Sequence, residues 1–134
     1  MVHIKLMEPL FHKIKIIFSG FYRVNYDNAS WYRIIDVLNS KNYQNIHVLN
    51  RAALVDDLLN LARAGLLNYR TTLDGLQYIR RERNYLPFKA AFSGITYLDQ
   101  RLSGDNEYYK HFKVCQRTVY LFYTFKCIHD ILKI

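Results

Sequence analysis

The sequence predicts a mainly α-helical fold, in which antiparallel helix pairs stack as in armadillo/HEAT-like α-solenoids, preceded by a short β-strand pair. Apolar residues recur at helical spacing in successive segments from residue 31 onward. The connections between these segments are short, which favours antiparallel neighbours. Before residue 27 the pattern changes to the aromatic and β-branched residues typical of strands.

The strand pair is predicted at residues 13–18 and 21–26, which the Ser-Gly dipeptide at 19–20 separates as in a short hairpin. Two strands alone are marginal in water, so this pair needs a larger sheet or covering helices. We therefore divide the chain into an amino-terminal segment at residues 1–27 and an incomplete helical domain at residues 28–134.

The first predicted helix follows a turn and cap cluster at residues 27–30 and ends near residue 39. Its apolar stripe consists of Trp31, Ile34, Ile35 and Leu38. The second is the central helix, where Asn50 is the predicted cap and Gly65 the predicted left-handed end. Its apolar stripe consists of Leu54, Leu58, Leu61 and Ala62.

Three further helices complete the predicted domain. Residues 69–72 cap the third, whose apolar side comprises Leu73, Leu76 and Ile79. Pro87 is favoured at a first helical position and starts the fourth. The apolar stripe of the fourth helix comprises Phe88, Ala91, Phe92, Ile95, Leu98 and Leu102. The fifth covers about residues 107–125, and apolar residues continue to the carboxyl end, so we expect a truncated chain with exposed apolar ends.

Composition bounds the function. With 134 residues and 51% hydrophobic residues, the chain can form one domain with a real core, and it is not a disordered chain. The net charge is +8, but the basic residues are scattered and are densest only at residues 80–83. A scattered excess favours solubility over a phosphate-binding surface, so we expect no nucleic-acid partner.

No membrane span or secretory leader is expected, because Lys5, Glu8 and Lys13 interrupt the apolar start of the chain. Cys115 and Cys127 would lie roughly 18 Å apart on one helix, too far for a disulfide. The cellular compartment therefore stays open.

Catalytic and metal motifs are absent from the sequence. No HExxH zinc motif occurs, the glycines are isolated rather than grouped in a phosphate-binding loop, and no G-x-S-x-G elbow is present. Glu107, His111 and Cys115 share one helical face, but a zinc site would need further ligands from another helix. Two packed side chains are the commoner reason for such spacing, so we predict no catalytic, metal or cofactor-binding residue.

Two further patterns have structural interpretations beside functional ones. Asp56 and Asp57 would point about 100° apart on a helix, so we expect one solvated acid and one paired to a neighbouring helix. Aromatic and basic residues interleave over residues 108–126, a pattern compatible with binding of single-stranded nucleic acid but more often found in a core with a solvated rim.

Asn28 begins an Asn-Ala-Ser glycosylation sequon, which matters only if the chain is secreted.

Several stretches have a specific order and spacing. They are GFYRVNYD at residues 20–27 with Trp31, IHVLNRAALVDD at 46–57, LARAG at 61–65, RERNYLPF at 81–88, and YLD at 97–99 with LSG at 102–104. Over about residues 15–112 they resemble the C-terminal region of the zinc aminopeptidase N family, the gluzincin aminopeptidases. The endoplasmic reticulum and insect gut aminopeptidases share this region.

The resemblance implies that residues 1–27 are the remnant of an upstream β-sandwich and that the helices belong to a domain covering the catalytic domain. It implies a family activity, zinc-dependent removal of an N-terminal residue from a peptide, whose zinc lies in a separate catalytic domain. No catalytic residue can be carried over, because this sequence lacks that domain's motifs. After about residue 112 the resemblance fades.

The first hypothesis is accordingly a fragment of an aminopeptidase N-like enzyme, inert alone, that limits peptide access in the parent enzyme. Its partners would be peptides, through the parent enzyme, and a catalytic domain or a second copy, through the apolar ends. Family members are often membrane-anchored, extracellular or in the endoplasmic reticulum lumen, but the localisation of this chain is not predicted. The alternative is a helical protein- or peptide-interaction module.

Overall fold

The computed structural model describes residues 2–4, 23–104, 109–110 and 112–113, and these are mainly helical, as predicted. Short 3-10 helices at Tyr43–Asn45 and Gln77–Arg81 join longer elements. The strands and α-helices described are β1 at Val2–Ile4, β2 at Val24–Tyr26, α1 at Asn28–Asn39, α2 at Val48–Arg63, α3 at Tyr69–Leu76 and α4 at Tyr85–Leu102.

β2 has a strand partner that was not predicted. β2 lies beside β1 in parallel, with Val24 opposite Val2 and Tyr26 opposite Ile4. Residues 13–18, the predicted hairpin partner, lie outside the described residues, so the hairpin stays a prediction. A strand at Val2–Ile4 was missed because three residues are too few to show an alternating pattern.

α1 forms where it was predicted. The carboxylate of Asp27 caps it by accepting a hydrogen bond of 2.7 Å from the backbone N–H of Ser30. All four residues of the predicted stripe are buried, and the Trp31 indole also donates to Oδ1 of Asn25 at 3.0 Å. Trp31 packs edge-on against Tyr26 at 5.0 Å between ring centroids, which fixes α1 on β2.

α2 has its predicted apolar stripe and its predicted end, but it starts earlier. Leu54, Leu58, Leu61 and Ala62 are buried, and Gly65 has φ +71°, the left-handed conformation that glycine adopts without strain. The cap is His47, whose Nδ1 accepts from the backbone N–H of Leu49 at 3.3 Å. The prediction of Asn50 as the cap was therefore wrong.

α3 packs against α1 and α2 through small residues rather than through the predicted leucine face. Its cap is Asn68, and the helix begins at Tyr69. The prediction that residues 69–72 form the cap was therefore wrong, because these residues are the first turn of the helix. Thr72 is buried and its hydroxyl donates to the backbone oxygen of Leu58 at 3.1 Å. Leu73 is 56% exposed, which corrects its placement on the apolar side; Ile79 is buried, as predicted.

Gly75 explains why α3 can lie so close to its neighbours. A Cβ atom at this position would lie 2.6 Å from Cδ1 of Leu58 and 3.3 Å from Cγ1 of Ile35. A larger residue would therefore push α3 away from both α1 and α2. The predicted stacking of helix pairs into a solenoid stays a prediction.

α4 begins two residues before Pro87, which is buried in its first turn, where its missing N–H is harmless. Phe88 and Ala91 are buried as predicted, whereas Phe92 and Leu102 are exposed, against the prediction. The chain divides within this helix into two compact units, Met1–Ala91 and Phe92–Ile134. The predicted boundary between residues 27 and 28 stays a prediction, and most of the predicted fifth helix lies outside the described residues.

Candidate functional site

A buried ion pair joins the first turn of α2 to the segment that precedes α4. Nε of Arg51 lies 2.7 Å from Oε2 of Glu82 and Nη2 lies 3.1 Å from Oε1, so the guanidinium contacts both carboxylate oxygens. The side chains are 3% and 0% exposed. Arg51 also donates through Nη1 to the backbone oxygen of Ile46.

Glu82 is held from a second direction. Its Oε1 accepts the backbone N–H groups of Arg83 at 2.7 Å and Asn84 at 3.0 Å, immediately before α4. Burial acts to raise the pKa of Glu82, but the hydrogen bonds from Arg51 and these two N–H groups outweigh it, so the pKa lies below its usual value. The carboxylate is therefore ionised at neutral pH and is fully engaged inside the protein.

Tyr43 lies beside this ion pair, within cation–π distance of two arginines. Its ring centroid is 5.4 Å from Cζ of Arg51 and 6.0 Å from Cζ of Arg81, and its hydroxyl donates to the backbone oxygen of Arg81 at 2.6 Å. Arg81 donates in turn to the backbone oxygen of Asn39 at the end of α1. These contacts connect α1, the first 3-10 helix and the second 3-10 helix.

Tyr78 packs on the same cluster, 5.9 Å from Tyr43 between ring centroids. Its hydroxyl is buried, and within the described part of the chain it has no hydrogen-bond partner. Burial, with the nearby negative charge of Glu82, raises the pKa of Tyr78 far above its usual value. Tyr43, Arg51, Tyr78, Arg81 and Glu82 together are called the Arg51–Glu82 cluster below.

The second ionic site involves the adjacent aspartates of α2. Nη1 of Arg23 lies 2.6 Å from Oδ2 of Asp56 and 3.2 Å from Oδ1 of Asp57. The predicted partner was a neighbouring helix, and this was wrong, because Arg23 belongs to the segment just before β2. Asn60 holds Asp56 by donating to its Oδ1 at 2.9 Å. This site ties the strand segment to α2.

Asp57 is the less accessible of the two, with its side chain 13% exposed against 44% for Asp56. Burial is the main reason that the pKa of Asp57 is raised to about 6, although Arg23 and the backbone N–H of Val24 oppose that rise. Asp57 is therefore the group in this site whose charge changes just below neutral pH.

The predicted modification site lies at the start of α1. Asn28 is exposed as the first helical residue, whereas Ser30 of the same sequon is buried. Glycosylation of Asn28 stays a prediction.

The three residues with the spacing of metal ligands, Glu107, His111 and Cys115, all lie outside the described residues. Among the residues described, no group of three potential ligands could hold a metal ion.

The interleaved aromatic and basic region is described only in part. Tyr109 donates to Oδ1 of Asp99 at 3.0 Å, and Nζ of Lys113 lies 2.8 Å from the same oxygen. Nζ of Lys113 also lies 5.3 Å from the Tyr109 ring centroid.

Within residues 23–104, the longest stretch that the structure describes, no helix is long and apolar enough to cross a membrane.

The Arg51–Glu82 cluster was not predicted, although the position of Arg51 in the sequence gives one signal for it. Arg51 lies three residues before Leu54 and seven before Leu58, so it shares the buried face of α2. A charged residue on such a face predicts a buried partner of opposite charge. Nothing local identifies Glu82 as that partner, because 31 residues separate the two.

Comparison with known proteins agrees with the motifs. The family model described as "ERAP1-like C-terminal domain" matches residues 18–122. The chain is 46% identical over 88 residues to aminopeptidase N of Plutella xylostella, covering 66% of this chain and 9% of that protein. It is 41% identical over 99 residues to glutamyl aminopeptidase of Homo sapiens, covering 74% of this chain and 10% of that protein.

A third relative is membrane alanyl aminopeptidase of Manduca sexta, 45% identical over 87 residues, with 65% of this chain and 9% of that protein covered. The chain thus spans about a tenth of the length of the curated relatives it matches. The family match includes α1 to α4 and both ionic sites of the helical region. The chain therefore belongs to the family of ERAP1-like C-terminal domains and corresponds to a C-terminal fragment of aminopeptidase N-like enzymes.

Proposed function

We propose that this chain supplies the helical domain that covers the active site of an aminopeptidase N-like zinc metallopeptidase and limits the access of peptides. By itself it is not catalytic. The observation that carries the proposal is the family match over residues 18–122, which includes every α-helix described. In this proposal the zinc and the general base belong to a catalytic domain outside the present sequence.

The ionic sites support a scaffolding role. The Arg51–Glu82 cluster holds the start of α2 against the segment before α4, and its charged groups face each other rather than an open cleft. Arg23, Asp56 and Asp57 fasten the strand segment to α2. In this proposal the two ionic sites hold the elements of the cover in a fixed arrangement.

The test is a rescue in a relative. The 88-residue segment of Plutella xylostella aminopeptidase N that matches this chain is replaced by a flexible linker, or by the matching residues of this chain. We expect only the second chimera to hydrolyse peptides with a dependence on peptide length like that of the parent enzyme. The measurement is kcat/KM for a dipeptide-sized aminoacyl-coumarin and for a series of longer peptides.

A folded chimera that cleaves the coumarin substrate but treats short and long peptides alike would contradict the proposed role. The chain alone, assayed with the same substrate and added zinc, serves as the control and should show no turnover. Turnover that a chelator abolishes would contradict its inertness.

The second candidate is a helical protein- or peptide-interaction module. The exposure of Leu66 and Leu73 in the described region favours it, because a partner would find apolar side chains there to contact. The same rescue separates the two candidates, since a module unrelated to peptide access would not restore the length dependence.

A further inference from the structure

The ionic contact between the strand segment at residues 23–26 and α2 converges on one nitrogen atom. Nη1 of Arg23 faces three oxygens: Oδ2 of Asp56 at 2.6 Å, Oδ1 of Asp57 at 3.2 Å and the backbone oxygen of Asp56 at 3.3 Å. Because this nitrogen carries only two hydrogens, it cannot satisfy all three acceptors. The carboxylate of Asp56 has the shortest contact, so the charge of Asp57 is the less compensated one.

Asp57 is also the less accessible of the two aspartates, so water compensates its charge less than that of Asp56. Its carboxylate accepts the backbone N–H of Val24, which holds it against the start of β2. With both aspartates ionised, the two carboxylates and the Arg23 guanidinium together carry one excess negative charge. A proton on Asp57 removes that excess without breaking the shorter contact of Arg23 with Asp56.

The charged groups that act on Asp57 come from the strand segment and from α2 itself. β2 and α3 both pack against α2. The strand segment contributes Arg23, and α2 contributes Asp56. Among the residues described, the charged side chains of α3, Arg70 and Asp74, are not groups that act on Asp57. The pKa of Asp57, raised to about 6 chiefly by burial, agrees with the incomplete compensation seen in the geometry.

Separation of the strand segment from α2 would return the Asp57 carboxyl to water. Its pKa there is the ordinary value of 3.8, so the separated state binds the proton more weakly than the closed state. Proton binding therefore favours the closed state, and a rise in pH favours separation. The effect levels off above about pH 6, because the carboxyl is then ionised in both states.

We propose that the contact of Arg23 with Asp56 and Asp57 is a pH-sensitive switch, which holds the strand segment against α2 in acid and loosens it at neutral pH. Val24 and Tyr26 are buried in the closed state, so separation uncovers apolar side chains and is rare at every pH. The proton thus changes how often the segment separates and leaves the resting structure the same. This inference is independent of the proposed role in peptide access.

Hydrogen exchange of the backbone amides in the full chain, followed by NMR at pH values from about 5 to about 8, tests the proposal. The protection of residues 24–26 is corrected for the intrinsic exchange rate at each pH. The two pKa values, 3.8 and about 6, predict that this protection falls about tenfold between pH 5 and pH 7.5 and then stays level. It should also be lower than that of the most protected amides, which exchange by global unfolding.

Three variants separate the switch from a fixed contact. Asp57→Asn cannot ionise, so the protection of residues 24–26 should become independent of pH. Arg23→Met removes the cation that lowers the pKa of Asp57, so the pH at which protection levels off should move above about 6. Asp56→Asn is the matched control, because it keeps the Asp57 carboxyl and should retain the fall. All variants keep the five histidines of the chain, so histidine titration cannot cause a difference between them.

Circular dichroism establishes that each variant is folded. The proposal is overturned if residues 24–26 are as protected as the most protected amides, because the segment then opens only with the whole chain. It is also overturned if the original chain shows no fall, if the fall persists in Asp57→Asn, or if Arg23→Met leaves the levelling pH unchanged.

Discussion

Arg51 occupies a position on the apolar face of α2 where the neighbouring residues are leucines, yet it is buried with both guanidinium edges engaged. Removing two charges from water costs several kcal/mol, and the pair offsets this only because Glu82 and the backbone oxygen of Ile46 satisfy its donors. The stability of the fold therefore depends on the completeness of the network more than on the attraction of one pair.

Arg51→Met should destabilise the chain by about 3–5 kcal/mol, because it leaves the Glu82 carboxylate buried without its cationic partner. Urea unfolding followed by circular dichroism measures the change. Arg51→Met with Glu82→Gln should recover part of the loss, and Arg80→Met, at an exposed arginine nearby, is the control. A loss below about 1 kcal/mol in the first variant would show that water reaches Glu82.

Asp57 makes stability depend on pH in the direction opposite to that of most carboxylates. Its pKa of about 6 lies above the ordinary value of 3.8, so the folded chain binds the proton more tightly than the unfolded chain. Its contribution is therefore favourable below about pH 4 and is lost as the pH rises through about 6. The loss should be about 2 kcal/mol. This is less than the full pKa shift of Asp57 corresponds to, because solvent and the partly exposed Arg23 screen the charge of its carboxylate.

The comparison of Asp57→Asn with Asp56→Asn between pH 4.5 and pH 7.5 checks this prediction. In Asp57→Asn the free energy of unfolding should no longer fall as the pH rises over this range. Asp56→Asn keeps the Asp57 carboxyl, so its free energy of unfolding should still fall. Equal pH dependence in the two variants would exclude Asp57 as its source.

At the scale of the element, apolar periodicity predicted α1 and α2 well and α3 poorly. The buried stripe of α1 is the predicted one, because large apolar residues there face the core. α3 approaches its neighbours so closely that Thr72 and Gly75 form the contact, and Leu73 is turned outward. A hydrophobicity pattern cannot indicate a face made of small residues, because their role depends on the distance between helices.

Gly75→Ala should destabilise the chain by about 1–2 kcal/mol, although alanine favours helices, because the added methyl group would overlap Leu58. The measurement is again urea unfolding. Leu58→Ala removes the overlapping methyl groups. The double variant should therefore lose less unfolding free energy than the sum of the losses in the two single variants. Strict additivity would indicate that Leu58 moves aside without cost.

At the scale of the whole molecule, specific motifs identified the family where composition could not. The resemblance over about residues 15–112 agrees with the family match at residues 18–122. The contacts between distant residues were beyond sequence reasoning, since Arg23 with Asp56 and Arg51 with Glu82 each join positions more than thirty apart. Local patterns report which face of a helix is buried, but not which distant side chain neutralises a charge there.

The hydroxyl of Tyr78 has a spectroscopic consequence. In alkaline solution the accessible phenols lose their protons and change their ultraviolet absorbance, while this ring keeps its proton for as long as the core stays closed. A late step in an alkaline titration of the tyrosines would then coincide with the opening of the core, so the chain contains its own optical reporter of unfolding.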